Sequence, residues 1–452
     1  MPADATPHPT TAPVVIVGGG AGGLELACKL GRRLGPARVT LVDQGLFHIW
    51  KPSLHEVAAG TLDIHQEGLS YQMLAHDNGF AFVYGPLTAL DAAAQTVTVG
   101  AIHDDHGEPV LPERHIAYGS LVLAIGSTAR YFGVPGAAEY SVALNGPQDA
   151  EAFRLKMLRL LAMADLRKAD DPAAGLDIVI IGGGATGVEL AAELREASAV
   201  QAAYGFRRID AARDVRITLL EGAPRILPPL PERLAEAATR LLAERRVRVV
   251  TGCRVAAIEP RRVRDAEGGV YPADLCVWAA GIQAPAVLGT LGLPTVPPGP
   301  GGLVKVTAQL QVEGQPAIYA LGDCAACPMV DARGQPLAGR WVPPRAQSAH
   351  QQADHLCRAL LRAARGLPAD GKPYVYRDHG SLVSLGTRSS VGSLMGRLFL
   401  ASGWFVEGLF ARSMYVSLHL LHHQAVLGTL RTGVLALARF LVKRATPLVK
   451  LH

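Results

Sequence analysis

The segment Val14-Val15-Ile16-Val17-Gly18-Gly19-Gly20-Ala21-Gly22-Gly23 constrains the fold more than any other stretch, because the chain uses its pattern twice. Four apolar residues read as a buried parallel strand. They run into Gly-x-Gly-x-x-Gly at Gly18, Gly20 and Gly23, and a helical pattern follows over residues 24–34. In that context the first glycine permits a tight turn, the second admits a pyrophosphate to the backbone, and the third lets the helix pack on the strand. Phosphates then meet the free N–H groups and positive dipole end of the helix. The second copy starts at Ile178, with Gly182, Gly184 and Gly187, and a helix runs from Val188 towards Arg195.

Each copy leads into a second strand that ends in an acid. Residues 38–43 end at Asp43, 20 residues after Gly23, placed to accept ribose hydroxyls; a helix N-cap or turn aspartate is the competing reading. Residues 216–221 end at Glu221, which would meet a ribose 2′-hydroxyl. A carboxylate there repels a 2′-phosphate and predicts NADH over NADPH, although Arg225 lies close enough to oppose it.

The remaining segments fit around these units. Residues 47–61 mix aromatics and ionisable groups with no helix or strand period, either lining a cofactor ring or forming a surface loop with an aromatic anchor. Residues 82–84 and 96–99 add strands, 103–108 form a charged hairpin turn, and 120–127 form an apolar strand stopped by Gly126. Residues 132–136 read as a Pro/Gly linker and 149–168 as a helix. The second unit carries an insert at 200–213 with no evident purpose. Short strands follow at 248–250 and 255–258, then a glycine-stopped strand at 274–281 ending in Gly281. Residues 318–323 end in Gly322-Asp323, where Asp323 either accepts bonds from a ribityl chain or caps a helix.

A chain of 452 residues fits two or three domains. Its net charge of +5 makes no general case for nucleic acid. From His379 onward the only acid is Glu407, and a basic, apolar tail points to an anionic surface, most simply a membrane. In that tail, residues 425–442 include Arg431 and Arg439, so no charge-free run of about 18 residues is available to span a bilayer. Leu427, Leu430, Val434, Leu437 and Leu441 instead recur at three- and four-residue spacing, with Thr432, Arg439 and Lys443 opposite. The amphipathic helix so described either packs on the protein's own core or lies in a membrane interface. The lack of acids and the Lys443-Arg444 pair favour the membrane, and a dimer contact is a further use of the tail. The six scattered cysteines read as reduced and cytoplasmic. Cys324-x-x-Cys327 suggests a redox couple or half a zinc site, but no second Cys/His pair with metal spacing accompanies it, so no metal site is expected. Residues 1–12 read as a flexible tail rather than a signal peptide.

The order of the two glycine turns, the Ala-Ile-Gly strand, the Trp-Ala-Ala-Gly strand and Gly-Asp-Cys-Ala resembles the two-dinucleotide-domain flavoproteins. Trp50-Lys51-Pro52-Ser53-Leu54-His55-Glu56-Val57-Ala58-Ala59-Gly60, Val342-Pro343-Pro344-Arg345-Ala346-Gln347-Ser348-Ala349-His350-Gln351, and the ending from Pro447 to His452 resemble the bacterial type II, non-proton-pumping NADH:quinone oxidoreductases. The resemblance implies an α/β fold of two Rossmann-like domains. A discontinuous FAD domain (13–145 and 283–370) would receive an inserted NADH domain (146–282), and residues 371–452 would anchor to the membrane. It assigns Gly18, Gly20, Gly23, Asp43, Lys51, Gly126, Asp323, Ala346 and Gln347 to non-covalent FAD, and Gly182, Gly184, Gly187, Glu189, Glu221 and Gly281 to NADH. Glu189 would lie near nicotinamide and flavin, Gln347 and Gln351 by the quinone pocket, and Lys372 near the ring and quinone. The implied partners are NADH, a membrane quinone and the cytoplasmic face of the bacterial inner membrane, with a homodimer possible. Ala185 departs from the proline of many relatives, and no aspartate-rich calcium loop is present. The alternatives are a sulfide:quinone or other disulfide oxidoreductase, which needs cysteines at the flavin that are absent between Cys28 and Cys253, or a non-enzymatic flavoprotein sensing NADH.

Overall fold

The computed structural model describes residues 12–296, 302–331, 333–368, 370–385, 390–394, 404–407, 419–445 and 449. The expectations for residues 1–11, for the Lys443 and Arg444 side chains and for most of the 447–452 ending fall outside them.

Val14–Val17 is apolar without alternation, as a strand covered on both faces must be, and it is wholly buried. It pairs in parallel with Val39–Asp43 on one side and Ser120–Leu123 on the other. Ala81–Tyr84 and Ile318–Ala320 extend the two edges to give a five-stranded parallel sheet. The last of these strands arrives from far along the chain, after a second parallel sheet has been completed. That second sheet centres on Leu176–Ile181, flanked by Val215–Leu220 and Leu275–Trp278, with Val247–Val250 at its edge. One doubly wound domain is therefore inserted into another. The chain leaves the first through Thr128–Ala129 and returns through Ile282–Gln283, and these two crossings pair antiparallel. Each domain carries a three-stranded antiparallel addition, Leu87–Asp91, Thr96–Val99 and Arg114–Ala117 in the first, and Val255–Glu259, Arg262–Asp265 and Val270–Pro272 in the second. The helix Pro147–Arg167 opens with proline in its first turn, and the Asp149 carboxylate accepts the Gly146 N–H at 3.1 Å.

Three elements differ from the sequence expectation. Residues 47–61 are not an open loop: Lys51–Ser53 and Leu54–Ala59 are helical, with Leu54, Val57 and Ala58 packed inside and Gly60 ending the turn at φ +82°. The helix after the second glycine turn does not stop near Arg195 but runs Ala185–Gly205, since residues 196–204 contain no proline or glycine to end it. The insert is thus half helix, followed by the short helix Ala211–Asp214. Its anchor is the buried Arg195 guanidinium, which donates to the carbonyls of Ala211 (2.6 Å), Val215 (2.7 Å) and Arg246 (3.2 Å). Asp165 accepts the Arg208 N–H at 2.7 Å, and Lys168 pairs with Asp214 at 2.6 Å, so the insert ties the Pro147–Arg167 helix to the sheet.

The C-terminal region is also more than helices. Gly380–Ser384, Ser390–Leu394 and Trp404–Glu407 form an antiparallel sheet that packs on the second domain, with Val383 and Leu385 buried in its core. Residues 419–427 are then helical, Gly428 breaks the helix at φ +81°, and Thr429–Ala445 follows. The expected single stripe is split by that glycine, with Leu427 left on the first helix. No helix among the described residues is long and apolar enough to cross a membrane.

Replacing Arg195 with Met leaves two buried carbonyls, of Ala211 and Val215, and the part-buried one of Arg246 without their charged donor. The expected loss is about 3 kcal/mol of folding free energy, read as a lower urea midpoint for the variant; an unchanged midpoint would show that the insert is held by other contacts.

Candidate functional site

The two glycine turns are built alike, atom for atom. Gly19 N–H donates to Asp43 Oδ2 at 2.6 Å, and Gly183 N–H donates to Glu221 Oε2 at 2.6 Å. The other carboxylate oxygen accepts a backbone N–H two residues on in each case, Gly45 and Ala223, both at 2.7 Å. A Cβ on Gly18 would stand 2.4 Å from Ala124 O, and one on Gly23 would stand 1.9 Å from Gly18 O, so both positions exclude a side chain. In front of the middle glycines the space is open: nothing lies within 4 Å of a Cβ on Gly184, and only Ala124 O, at 4.0 Å, is that close to one on Gly20. A backbone-lined cradle at a helix N-terminus, beside an acid that ends the next strand, fits a dinucleotide at each turn. Burial raises the Asp43 carboxyl above its ordinary value, against the two N–H donors that favour its charged form.

A second group of residues gathers at the carboxyl ends of the first sheet's strands. Lys51 Nζ donates to the Ser127 carbonyl at 2.9 Å, and Ser127 Oγ donates to Asp323 Oδ2 at 2.9 Å. Gly126 beside them has φ +69° and open space before it, and its counterpart Gly281 has the same φ but faces the Phe132 ring. Ala346 opens the helix Ala346–Ala364. Gln347 Oε1 accepts the Tyr376 hydroxyl at 3.0 Å. Gln351 grips the Arg377 backbone, accepting its N–H at 3.0 Å and donating to its carbonyl at 2.8 Å. The neighbouring Gln352, buried and not anticipated, accepts the Gly322 N–H at 2.7 Å and so holds the Gly322-Asp323 turn. Lys372 is exposed, with its own N–H on the Asp370 carboxylate at 3.3 Å.

Glu189 lies one turn into the helix after the second glycine turn, where it is buried against the first domain. Its Oε1 accepts the Ser384 N–H at 3.0 Å, and Oε2 stands 3.6 Å from His55 Nδ1. One helical turn on, Glu193 accepts the Thr61 hydroxyl at 2.5 Å. Burial pushes the Glu189 carboxyl from 4.5 up to about 7, with His55 pulling the other way, and burial also raises Glu193, with Glu56 adding to it. His55 and Glu193 escaped the sequence reading; their only signal was the His-Glu pair in residues 47–61 and the i, i+4 spacing from Glu189.

All six cysteines are free and buried. Cys324 contacts the Leu321 carbonyl at 3.3 Å, and burial pushes the Cys324 and Cys327 thiols up to about 12, away from the thiolate that redox or metal chemistry needs. Among the described residues no three His, Cys, Asp or Glu side chains gather as a metal site would require.

Two nested nucleotide folds, each with an open cradle, define a two-nucleotide oxidoreductase, and residues 12–353 match the family model of the pyridine nucleotide-disulphide oxidoreductases. A type II NADH:quinone oxidoreductase of Haemophilus influenzae is 36% identical over 97% of this chain and 99% of its own length. One from Mycobacterium tuberculosis is 28% identical over 84% of this chain and 79% of its own. The chain belongs to the type II NADH:quinone oxidoreductases of that class. The solved structure of Plasmodium falciparum NDH2 in complex with NADH shares the fold, with a TM-score of 0.78 at 18% identity, covering 97% of this chain and 100% of that one.

Glu189→Gln keeps the shape and removes the titration. A carboxyl whose folded value is raised stabilises the fold at low pH, and that contribution falls as pH rises from 4.5 to about 7. The variant is therefore expected to melt above the parent at pH 8, by roughly 2 °C, and with it at pH 4.5. Equal melting at both pH values would show that Glu189 does not titrate in this range.

Proposed function

We propose that the chain oxidises NADH at the second glycine turn and reduces a membrane quinone beside the Ala346–Ala364 helix, with non-covalent FAD held between by the first turn. The observation that carries this reading is the pair of matching clasps, Asp43 on Gly19 and Glu221 on Gly183. FAD, when bound, supplies the two-electron step that joins a hydride donor to a quinone. The protein's own part is to hold and orient. Gly18, Gly20 and Gly23 admit the FAD pyrophosphate, Asp43 takes the ribose, and Lys51, Ser127 and Asp323 form the polar group placed for the flavin side of the molecule. Gly182, Gly184, Gly187 and Gly281 do the same for NADH, and Glu221 selects against a 2′-phosphate. Glu189, poised near neutral pH between His55 and Ser384, holds a proton where the two domains meet. Ala346 and Gln347 flank the flavin, and Gln351 and Lys372 lie on the quinone side.

The tail supports a membrane location. Thr429–Ala445 turns its polar side to the protein: Thr432 is buried, Arg431 pairs with Asp77, and Arg439 pairs with Glu67 at 2.5 Å. Its apolar stripe faces outward, with Leu430 82% exposed and Leu437 61% exposed. A helix in water arranges itself the other way round, so this face is read as seated in the acyl boundary of the inner membrane's cytoplasmic leaflet.

Stopped-flow mixing tests the first part. NADH is expected to bleach the flavin absorbance at least tenfold faster than NADPH, and a quinone to restore it; bleaching without quinone reoxidation sinks the reading. For the tail, Leu430→Gln/Val434→Gln/Leu437→Gln is expected to reduce co-sedimentation with anionic vesicles at least tenfold, since three buried Leu or Val side chains contribute more than 1.4 kcal/mol together. Parent-like sedimentation would remove this face from the membrane contact.

A further inference from the structure

The tail is joined to the first glycine turn by a chain of buried side chains that the proposed reaction does not use. The Gly19 carbonyl accepts two donors, the Tyr71 hydroxyl at 2.8 Å and His48 Nδ1 at 2.9 Å. His48 Nε2 lies 2.9 Å from Nε2 of His422, on the 419–427 helix. His422 Nδ1 lies 2.8 Å from Glu25 Oε1, and Glu25 Oε2 meets His350 Nδ1 at 2.6 Å and Lys29 Nζ at 3.1 Å. Lys29 continues to Asp354 at 2.7 Å. The Trp50 ring covers His422 at 4.3 Å between centroids. Arg32, on the same helix as Glu25 and Lys29, donates to the carbonyls of Ala425 (3.1 Å) and Val426 (2.9 Å), closing the carboxyl end of the 419–427 helix.

Hydrogen-bond accounting counts the protons that these contacts need. His48 faces a carbonyl at Nδ1, so it donates there. His422 faces a carboxylate at Nδ1, so it donates there too. The two Nε2 atoms face each other, and one of them must also carry a proton. The pair thus holds one proton more than two neutral rings. Burial drives His48 down to about 3, with His422 adding to the effect, so His48 is held as a neutral ring. Burial disfavours the Glu25 anion, yet hydrogen bonds from His350 and His422 hold it well below the usual carboxylate range. The clasp is a buried bridge in which the His422 ring meets the Glu25 carboxylate at one nitrogen and reaches through His48 to the glycine turn at the other.

The peptide plane transmits it. In a trans peptide the Gly19 carbonyl and the Gly20 N–H point in opposite directions. Two donors pin the carbonyl inward, which aims the Gly20 N–H outward, into the open cradle.

We infer that His422 is a positioning residue for the dinucleotide turn: the tail helix, through His48, holds the Gly20 N–H on the FAD pyrophosphate, so tail seating and FAD retention are linked. This rests on the reading that the first turn binds FAD. Linkage is reciprocal, so FAD also holds the tail down.

The test uses full-length protein stripped of flavin and titrated with FAD by flavin fluorescence. His422→Leu is expected to raise the FAD dissociation constant about tenfold, the scale of one lost charge-assisted bond. His422→Gln, which keeps an amide donor towards His48 without the second ring nitrogen that meets Glu25, should fall between. In the parent, FAD should slow amide hydrogen exchange across the 419–427 helix, and this protection should vanish in His422→Leu. Equal dissociation constants overturn the inference, as does FAD protection that survives the substitution. A purely structural role would lower the melting temperature without moving either readout. Should the Leu variant not fold, Glu25→Gln and His422→Gln decide by the same titration. If the parent itself fails to bind FAD, the underlying reading falls instead.

Discussion

Everything in this molecule is arranged around one hydrogen bond made twice. A carboxylate at the end of the second strand catches the N–H of the middle of a glycine turn at 2.6 Å, by Asp43 in one domain and by Glu221 in the other. The bond closes the turn over the strand end and leaves the following N–H groups facing out. It also stations a negative group where a ribose would lie. Because both domains make this bond on the central strand of a parallel sheet, both cradles open at the carboxyl ends of their strands, as doubly wound folds require. The paired crossings Thr128–Ala129 and Ile282–Gln283 then tie the two domains together.

The boundary between the domains is where charge becomes expensive to keep. Glu189 and Glu193 face the first domain from one helix of the second, with His55 opposite, and the sheet from Gly380 covers them. Water is excluded there, so a carboxyl holds its proton to near neutral pH. A group poised in this way suits a reaction that takes up a proton. The tail obeys the opposite logic. Arg431 and Arg439 are paired inward on Asp77 and Glu67, while Leu430, Val434 and Leu437 are left outside, an arrangement that suits a surface that is itself apolar.

Much of the first glycine turn was legible along the chain. Gly18, Gly20, Gly23 and Asp43 form a local pattern whose parts are separated by a strand and a helix of ordinary length, so spacing alone places them together. Gly182, Gly184, Gly187 and Glu221 repeat it. The glutamines were harder. Gln347, Gln351 and Gln352 are close in sequence, and only packing shows that Gln352 faces inward to Gly322 while Gln351 turns out to Arg377. The 200–213 insert was opaque because what holds it, Asp165 on Arg208 and Arg195 on Ala211, lies outside it in the chain.

The histidines of the tail mark the limit most clearly. His419, His422 and His423 sit in an apolar helix, and nothing near them in sequence tells their partners. Glu25 meets His422 across 397 positions, and His48 meets it across 374. The sequence by itself determined the two nucleotide turns, their strands and acids, and the basic apolar tail, because each is set by residues within one supersecondary unit. Only the tertiary structure decided that Glu189 is buried against His55, that the tail helix lies with its polar side inward, and that His422 bridges Glu25 and His48. Those depend on which surfaces close over which side chains, and burial is a property of the assembled fold rather than of any segment.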